Sequence, residues 1–132
     1  VLAGPAPHRL AAMFFEGTAI VCDYREGVRG LSLEWQKLAC NMLAVGAEAL
    51  PRGGRLVLAA DPSGLLLEGS GEGGGPTAPA AAALAGTTAP ADLTARTIGA
   101  YFAGLLGRGL GCQLAVAGEA GRFRLSAARR GA

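Results

Sequence analysis

The chain has 132 residues, enough for one domain that buries roughly two-thirds of the surface its unfolded form exposes. Apolar residues make up 51% of it, which excludes disorder as the main state, and no apolar run approaches the roughly 20 residues that a membrane-spanning helix needs. The formal net charge of +2 argues against non-specific binding to nucleic acid.

The cysteines and the single histidine restrict the possible chemistry. Cys22, Cys40 and Cys112 are odd in number and widely spaced, which favours reduced thiols of a cytosolic protein over a disulfide framework or a zinc site. His8 is the only histidine, so a multi-histidine metal site is excluded, and so is a Ser-His-Asp triad built on any other histidine. The chain does not begin with Met and carries no signal peptide, so we expect it to be part of a longer cytosolic protein.

The predicted elements begin with an N-terminal segment, residues 1–30, that leads into the domain. Its apolar stretches at 10–15 and 18–24 are equally compatible with helix and strand, because short apolar runs cannot be separated by periodicity. Leu31 to Trp35 alternates apolar and polar residues and predicts a half-buried strand.

A helix is predicted from about Gln36 to Leu50, because apolar residues recur along one wide stripe of it. Pro51 ends this helix, since it disfavours the helical conformation at the preceding residue. Gly53 and Gly54 then allow the chain to reverse.

A hairpin is predicted next, with strands at 55–60 and 65–68. Residues 61–64, Asp-Pro-Ser-Gly, are typical of a type I turn. Residues 69–75 are rich in glycine and predict a flexible loop, which leads into a Pro/Ala/Thr-rich segment with one short helix from about Ala80 to Leu84. This part of the chain fits both a lid over a former ligand site and a surface excursion, and the surface excursion is favoured.

The next helix is predicted over 95–109, with Thr94 as its N-cap. Its large apolar residues recur at i, i+3, i+4, i+7 and i+8, which predicts a stripe facing the core: Ile98, Tyr101, Phe102, Leu105 and Leu106. If Leu105 is a core residue, Leu105→Ala should cost about 2–5 kcal/mol of stability.

A second hairpin closes the domain. Cys112, Leu114 and Val116 are predicted to share the core face with residues of the return strand, Phe123 and Leu125, across a turn at 118–121. Arg122, Arg124 and Ser126 are expected to face solvent, and residues 128–132 form a basic tail.

This order of elements predicts an α+β fold, a two-layer sandwich in which helices cover one face of a mostly antiparallel sheet. It resembles the ATPase domain shared by histidine kinases and gyrase and, more closely, the C-terminal domain of the alphaproteobacterial ChpT-type histidine phosphotransferases. The resemblance covers residues 31–127. It is carried by Leu33-Glu34-Trp35, by Asn41-Met42-Leu43, by 47–54 (Ala-Glu-Ala-Leu-Pro-Arg-Gly-Gly), by 93–97 and by 100–106.

The same resemblance implies a degenerate nucleotide site. In a working histidine kinase the residue four positions after Asn41 is an asparagine that helps hold magnesium, and here it is Val45, which has no lone pair for a hard cation. The kinase motif Asp-x-Gly-x-Gly corresponds to Gly69, Gly71 and Gly73, so its adenine-binding aspartate is absent. The Gly-rich phosphate loop is replaced by residues 92–97. No cofactor and no metal are therefore expected.

The resemblance further implies a role in a two-component phosphorelay. The phosphorylated histidine of such proteins lies on an N-terminal helical hairpin, usually before an aspartate, whereas His8 precedes Arg9 and is a weak candidate. This chain would be a pseudo-ATPase domain, not itself catalytic. It would dock the receiver domains of a hybrid histidine kinase and of response regulators within a cytoplasmic homodimer, with no nucleic-acid or membrane partner.

Two other functions fit the same sequence. One is a standalone protein-interaction module of this fold, as in anti-sigma factors. The other is a divergent domain that still binds nucleotide.

Overall fold

A computed structural model describes residues 15–75, 77–95, 97–119 and 121–129. In chain order the strands are β1 (Ile20–Tyr24), β2 (Gly54–Asp61), β3 (Gly64–Ser70), β4 (Cys112–Glu119) and β5 (Arg122–Arg129). The helices are α1 (Glu26–Arg29), α2 (Leu33–Glu48), α3 (Ala78–Ala85) and α4 (Ile98–Gly109), and a short 3₁₀ turn spans Pro90–Asp92.

The strands form one five-stranded sheet in the order β1-β2-β3-β5-β4. β1 and β2 run parallel, and the other three neighbouring pairs are antiparallel. The inward-facing residues of the sheet, including Leu56, Leu58 and Leu67, are fully buried, as are Leu38 and Met42 of α2. The expected α+β sandwich with a mostly antiparallel sheet is therefore confirmed.

The strand predicted over Leu31 to Trp35 is wrong, because α2 already begins at Leu33. A first helical turn can show the same alternation of apolar and polar residues by chance. Here the alternation does not reflect burial, since Leu33 and Glu34 are both exposed. Gln36 fixes the entry to the helix, since its Nε2 donates to the carbonyls of Arg29 and Leu31, each at 3.1 Å. The ambiguous stretch at 18–24 contains β1 instead.

The first predicted hairpin is confirmed, with β2 and β3 pairing from Arg55 opposite Ser70 to Asp61 opposite Gly64. The Asp61 carboxylate accepts hydrogen bonds from the Ser63 hydroxyl (2.6 Å) and from the amides of Ser63 (2.7 Å) and Gly64 (3.0 Å). These bonds stabilise its charged form and hold the pKa of Asp61 below its usual value.

The glycine-rich segment starts later than predicted. β3 continues through Gly69 to Ser70, so the loop begins at Gly71. The predicted short helix is present as α3. Thr77 caps it, because the Thr77 hydroxyl accepts from the Ala80 amide at 3.2 Å.

The predicted core stripe of the next helix is wrong for three of its five residues, since only Tyr101 and Leu106 pack against the core. α4 begins at Ile98, after Thr97 and not Thr94, and Ile98, Phe102 and Leu105 are 43%, 51% and 42% exposed. Tyr101 and Leu106 are half-buried. The buried positions are the small residues of the opposite face: Ala100, Ala103, Gly104 and Gly107.

Close packing of α4 explains why its small residues are buried in place of its large apolar ones. α4 lies against α3, α2 and β4, and glycine or alanine at the contact lets their main chains approach closely. A Cβ at Gly107 would overlap Leu114 of β4. Periodicity identifies the two faces of a helix but not which of them is buried.

The closing hairpin is confirmed, with Cys112, Leu114, Phe123 and Leu125 buried between the layers. Arg122 and Arg124 are exposed as expected, whereas Ser126 is half-buried.

The sheet extends beyond the expected domain boundaries, before residue 31 through β1 and past residue 127 through β5. β1 and α1 precede residue 31, and Tyr24 and Val28 are buried in the core. Arg129, assigned to a basic tail, is the last residue of β5, and its guanidinium lies 5.1 Å from the ring centroid of Trp35. No helix within the described ranges is long and apolar enough to cross a membrane.

Candidate functional site

The site that the sequence comparison with kinases indicates is a cleft between α2 and α4. It has a volume of about 330 Å³. The described residues that line it come from α2, from the loop before α3 and from the first turns of α3 and α4: Asn41, Ala44, Val45, Glu48, Ala49, Gly75, Thr77, Ala80, Gly99 and Ala100. The structure thus brings Asn41 and Val45 together, one helical turn apart on the wall of one cleft.

The polar groups of the cleft are few, and two of them are engaged locally. The Asn41 side-chain amide donates to the Lys37 carbonyl at 3.0 Å, and the Thr77 hydroxyl caps α3. Glu48 is exposed at the rim. None of the described lining residues is basic, and a carboxylate at the rim disfavours a phosphate group.

Three of the glycines between β3 and α3 have their main-chain amides engaged in hydrogen bonds. The amide of Gly71 donates to the Gly121 carbonyl at 2.9 Å, that of Gly74 to Gly71 at 3.0 Å and that of Gly75 to Ala49 at 2.9 Å. A phosphate-binding loop presents such amides to its ligand. In this chain they hold the segment against the α2 C-terminus and the β4–β5 turn.

Gly69 corresponds to the missing adenine-binding aspartate, and Phe123 fills the space that a side chain would need there. Gly69 lies opposite Phe123 in the β3–β5 ladder, and the Phe123 ring covers it so closely that a Cβ would overlap the ring. Gly71 follows the end of β3, and Gly73 is exposed with a φ of 70°. Neither Gly69, Gly71 nor Gly73 lines the cleft. His8 lies outside the described residues.

The thiols are not part of this cleft. Cys22 and Cys40 are half-buried, Cys112 is buried, and all three are free. Burial is the main cause that raises the pKa of Cys22, to about 11, with smaller contributions from the neighbouring Asp23 and Cys40. Within the described ranges no group of three or more His, Cys, Asp or Glu residues could hold a metal ion.

Sequence reasoning missed a second concave surface, on the face of the sheet opposite the helices. It is a groove of about 580 Å³ whose walls carry Arg25, Arg55, Glu68, Arg122 and Arg124. The alternation of arginines with apolar residues at the start of β5 was a signal for an exposed face, whereas β2 carries the single arginine Arg55. That these strands flank β3, which brings the arginines together, follows only from the sheet order.

The five-stranded sheet with its helical layer is the fold of a histidine-kinase-type ATPase domain. The chain belongs to the histidine phosphotransferase C-terminal domain family, whose sequence profile matches residues 8–122. It is also similar to a solved structure described as a bacterial phosphotransferase, with a TM-score of 0.77 and 23% identity. That match covers 91% of this chain and 60% of the other, so this chain spans about three-fifths of that protein's length. No curated protein matches the chain.

Proposed function

We propose that this chain serves a histidine phosphotransferase of a bacterial two-component phosphorelay as its pseudo-ATPase domain, which docks receiver domains and binds no nucleotide. The observation that carries this proposal is the cleft between α2 and α4. Val45 stands where a kinase has a magnesium-binding asparagine, and the described lining holds no basic side chain. Membership of the histidine phosphotransferase C-terminal domain family supports the phosphotransfer activity proposed for the parent protein.

The transfer itself would take place outside this domain. The phosphoryl group would leave an aspartate of a hybrid kinase's receiver domain and form a bond to a histidine nitrogen of the phosphotransferase. That bond would then break as the group passes to an aspartate of a response regulator. The receiver's own magnesium would neutralise charge in both steps, so this domain needs no metal for them. We also propose that the full-length phosphotransferase is a homodimer located in the cytoplasm.

Calorimetric titration of the full-length protein with magnesium-ATP tests the nucleotide part. We expect no binding, and none for Val45→Asn either, because that change restores one amide but leaves the glycine amides engaged. Micromolar affinity of the unmodified protein would overturn this part and would favour a divergent nucleotide-binding domain.

A transfer assay tests the activity. We expect labelled phosphate to pass from a phosphorylated receiver domain of a hybrid kinase to the full-length protein and then to a response regulator. A receiver whose aspartate is replaced by asparagine is the control and should accept none. Absence of transfer from every receiver, together with capture of a sigma factor, would contradict the proposal and favour a standalone interaction module.

A further inference from the structure

The face of the sheet that the helices leave uncovered carries a cluster of four arginines, which we call the open-face cluster: Arg25, Arg55, Arg122 and Arg124. The register places three of its members in rows across the sheet, and Arg25 directly follows the end of β1. Arg55 of β2 is paired with Ser70 of β3, and Ser70 is paired with Arg122 of β5. In the adjacent row Glu68 of β3 is paired with Arg124.

Among the side chains that the structure describes, Asp23 and Glu68 are the carboxylates that pair with this cluster. Asp23 lies 3.1 Å from Arg25 and 3.7 Å from Arg55, and Glu68 lies 3.2 Å from Arg124. Two described carboxylates thus serve three of the four arginines, and Glu119 holds the register position opposite Arg122. The paired arginine side chains remain 57–61% exposed, so their guanidinium groups are accessible to a partner.

The spacing of the arginines suits several separate anions. β2 and β5 flank β3, and because adjacent strands lie about 4.8 Å apart, the main chains of Arg55 and Arg122 are about 10 Å apart. Carboxylates on the surface of a protein are distributed on this scale, and an arginine pairs with a carboxylate through two parallel hydrogen bonds.

A phosphate-bearing small molecule fits less well. The amides of β2, β3 and β5 are engaged in the ladders of a continuous sheet, so the floor of the groove offers no nest of main-chain donors for a phosphate. Glu68 and Asp23, interspersed among the arginines, would also repel a multiply charged group. Both features are compatible with ion pairs that rearrange when an acidic protein surface docks.

We propose that the open-face cluster is a docking surface for an acidic protein partner, and specifically for an acidic patch on the receiver domain. This inference rests on the proposed function, since it names the surface through which the proposed partner is held. Complementary charge of this kind increases association rates and fixes orientation, which a transient phosphotransfer complex requires.

Binding of receiver domains to the full-length protein tests the proposal. The probes are purified receiver domains of the hybrid kinase and of response regulators from the same genome. The double variant Arg55→Gln/Arg122→Gln is expected to weaken binding by about tenfold or more at low salt, and the difference should shrink as salt is raised. Glu68→Gln is expected to tighten binding, because it frees Arg124, and a purely structural role would not give that result.

The matched control is Arg52→Gln. Arg52 is an exposed arginine that pairs with Glu72 at 3.0 Å, outside the groove, and its loss should leave the affinity unchanged. All variants should keep the circular dichroism spectrum and melting temperature of the unmodified protein.

The other outcomes contradict the inference in distinguishable ways. If the unmodified protein binds receivers and the double variant binds them equally well, the docking surface lies elsewhere and the proposed function stands. If no receiver binds, both fail. Arginine-dependent binding of a 20-base-pair DNA duplex or of inorganic phosphate, with receiver affinity unaffected, would assign the groove to that anion instead.

Discussion

Gly104 of α4 lies against the main-chain carbonyl of Leu84 at the end of α3, with no space between them for a methyl group. Main-chain atoms cannot move aside as the end of a side chain can. The contact therefore fixes the distance between the two helices. It also explains why α4 turns its alanines inward together with Gly104 and Gly107, and exposes Ile98, Phe102 and Leu105.

Gly104→Ala is expected to destabilise the domain. The added methyl group forces α3 and α4 apart, and overpacking of this kind costs about 1–3 kcal/mol, more than the gain of up to about 1 kcal/mol from replacing a helical glycine. Gly99→Ala is the matched control in the same helix, because a Cβ there meets no other atom within 4 Å. Urea unfolding should show a lower free energy for the first variant and an equal or higher one for the second.

Leu105→Ala is expected to cost less than about 1.5 kcal/mol, because the side chain is 42% exposed and loses little buried area. This expected loss of stability is smaller than the loss of about 2–5 kcal/mol predicted for Leu105 as a core residue. Leu67→Ala, at a fully buried position of β3, should cost about 2–5 kcal/mol. Equal losses of melting temperature in the two variants would mean that α4 buries its large apolar residues in solution.

Tyr24→Phe tests the connection between β1 and α2. The Tyr24 hydroxyl donates to Gln36 Oε1 at 2.9 Å in a buried setting, and the variant leaves that oxygen without this donor. We expect a loss of about 1–3 kcal/mol in thermal or urea unfolding. Tyr101→Phe is the control, since Tyr101 is only half-buried, and it should be nearly neutral.

Stability is expected to fall at alkaline pH through Cys22. Burial raises the pKa of this thiol from 9.0 to about 11 in the folded protein. Between these values the unfolded chain releases the proton while the folded chain keeps it, so the free energy of unfolding decreases as pH rises from about 9 to about 11. Cys22→Ala should make the profile flatter in this range. A profile with an unchanged slope would contradict the assignment.

Much of the fold could be predicted because its signals are local. The turn Asp61-Pro62-Ser63-Gly64 defines the first hairpin by itself, and the alternation of polar and apolar residues from Arg122 to Ser126 defines the second. α4 could not be oriented in this way. Its apolar face and its small-residue face have the same period, and the choice between them depends on how closely α3 and β4 approach, which is a tertiary property.

The sequence alone shows which nucleotide-binding residues the candidate site lacks, but not which hydrogen bonds its remaining groups make. Val45 could be identified from the sequence because the missing ligand is one residue at a known spacing. That the amides of Gly71, Gly74 and Gly75 are engaged depends on Gly121 and Ala49, which are distant from them in sequence. The open-face cluster likewise requires the order of β2, β3 and β5, which no local pattern specifies.

Trp35 is the only tryptophan of the chain, and it lies where the first turn of α2 meets Arg129 at the end of β5. Because Trp35 also packs against the core, its emission monitors the junction between these distant parts of the chain, without any label. Loss of this contact changes the local polarity around the indole before the rest of the sheet need separate. The protein thus contains an intrinsic fluorescent reporter for separation of the helical layer from β5.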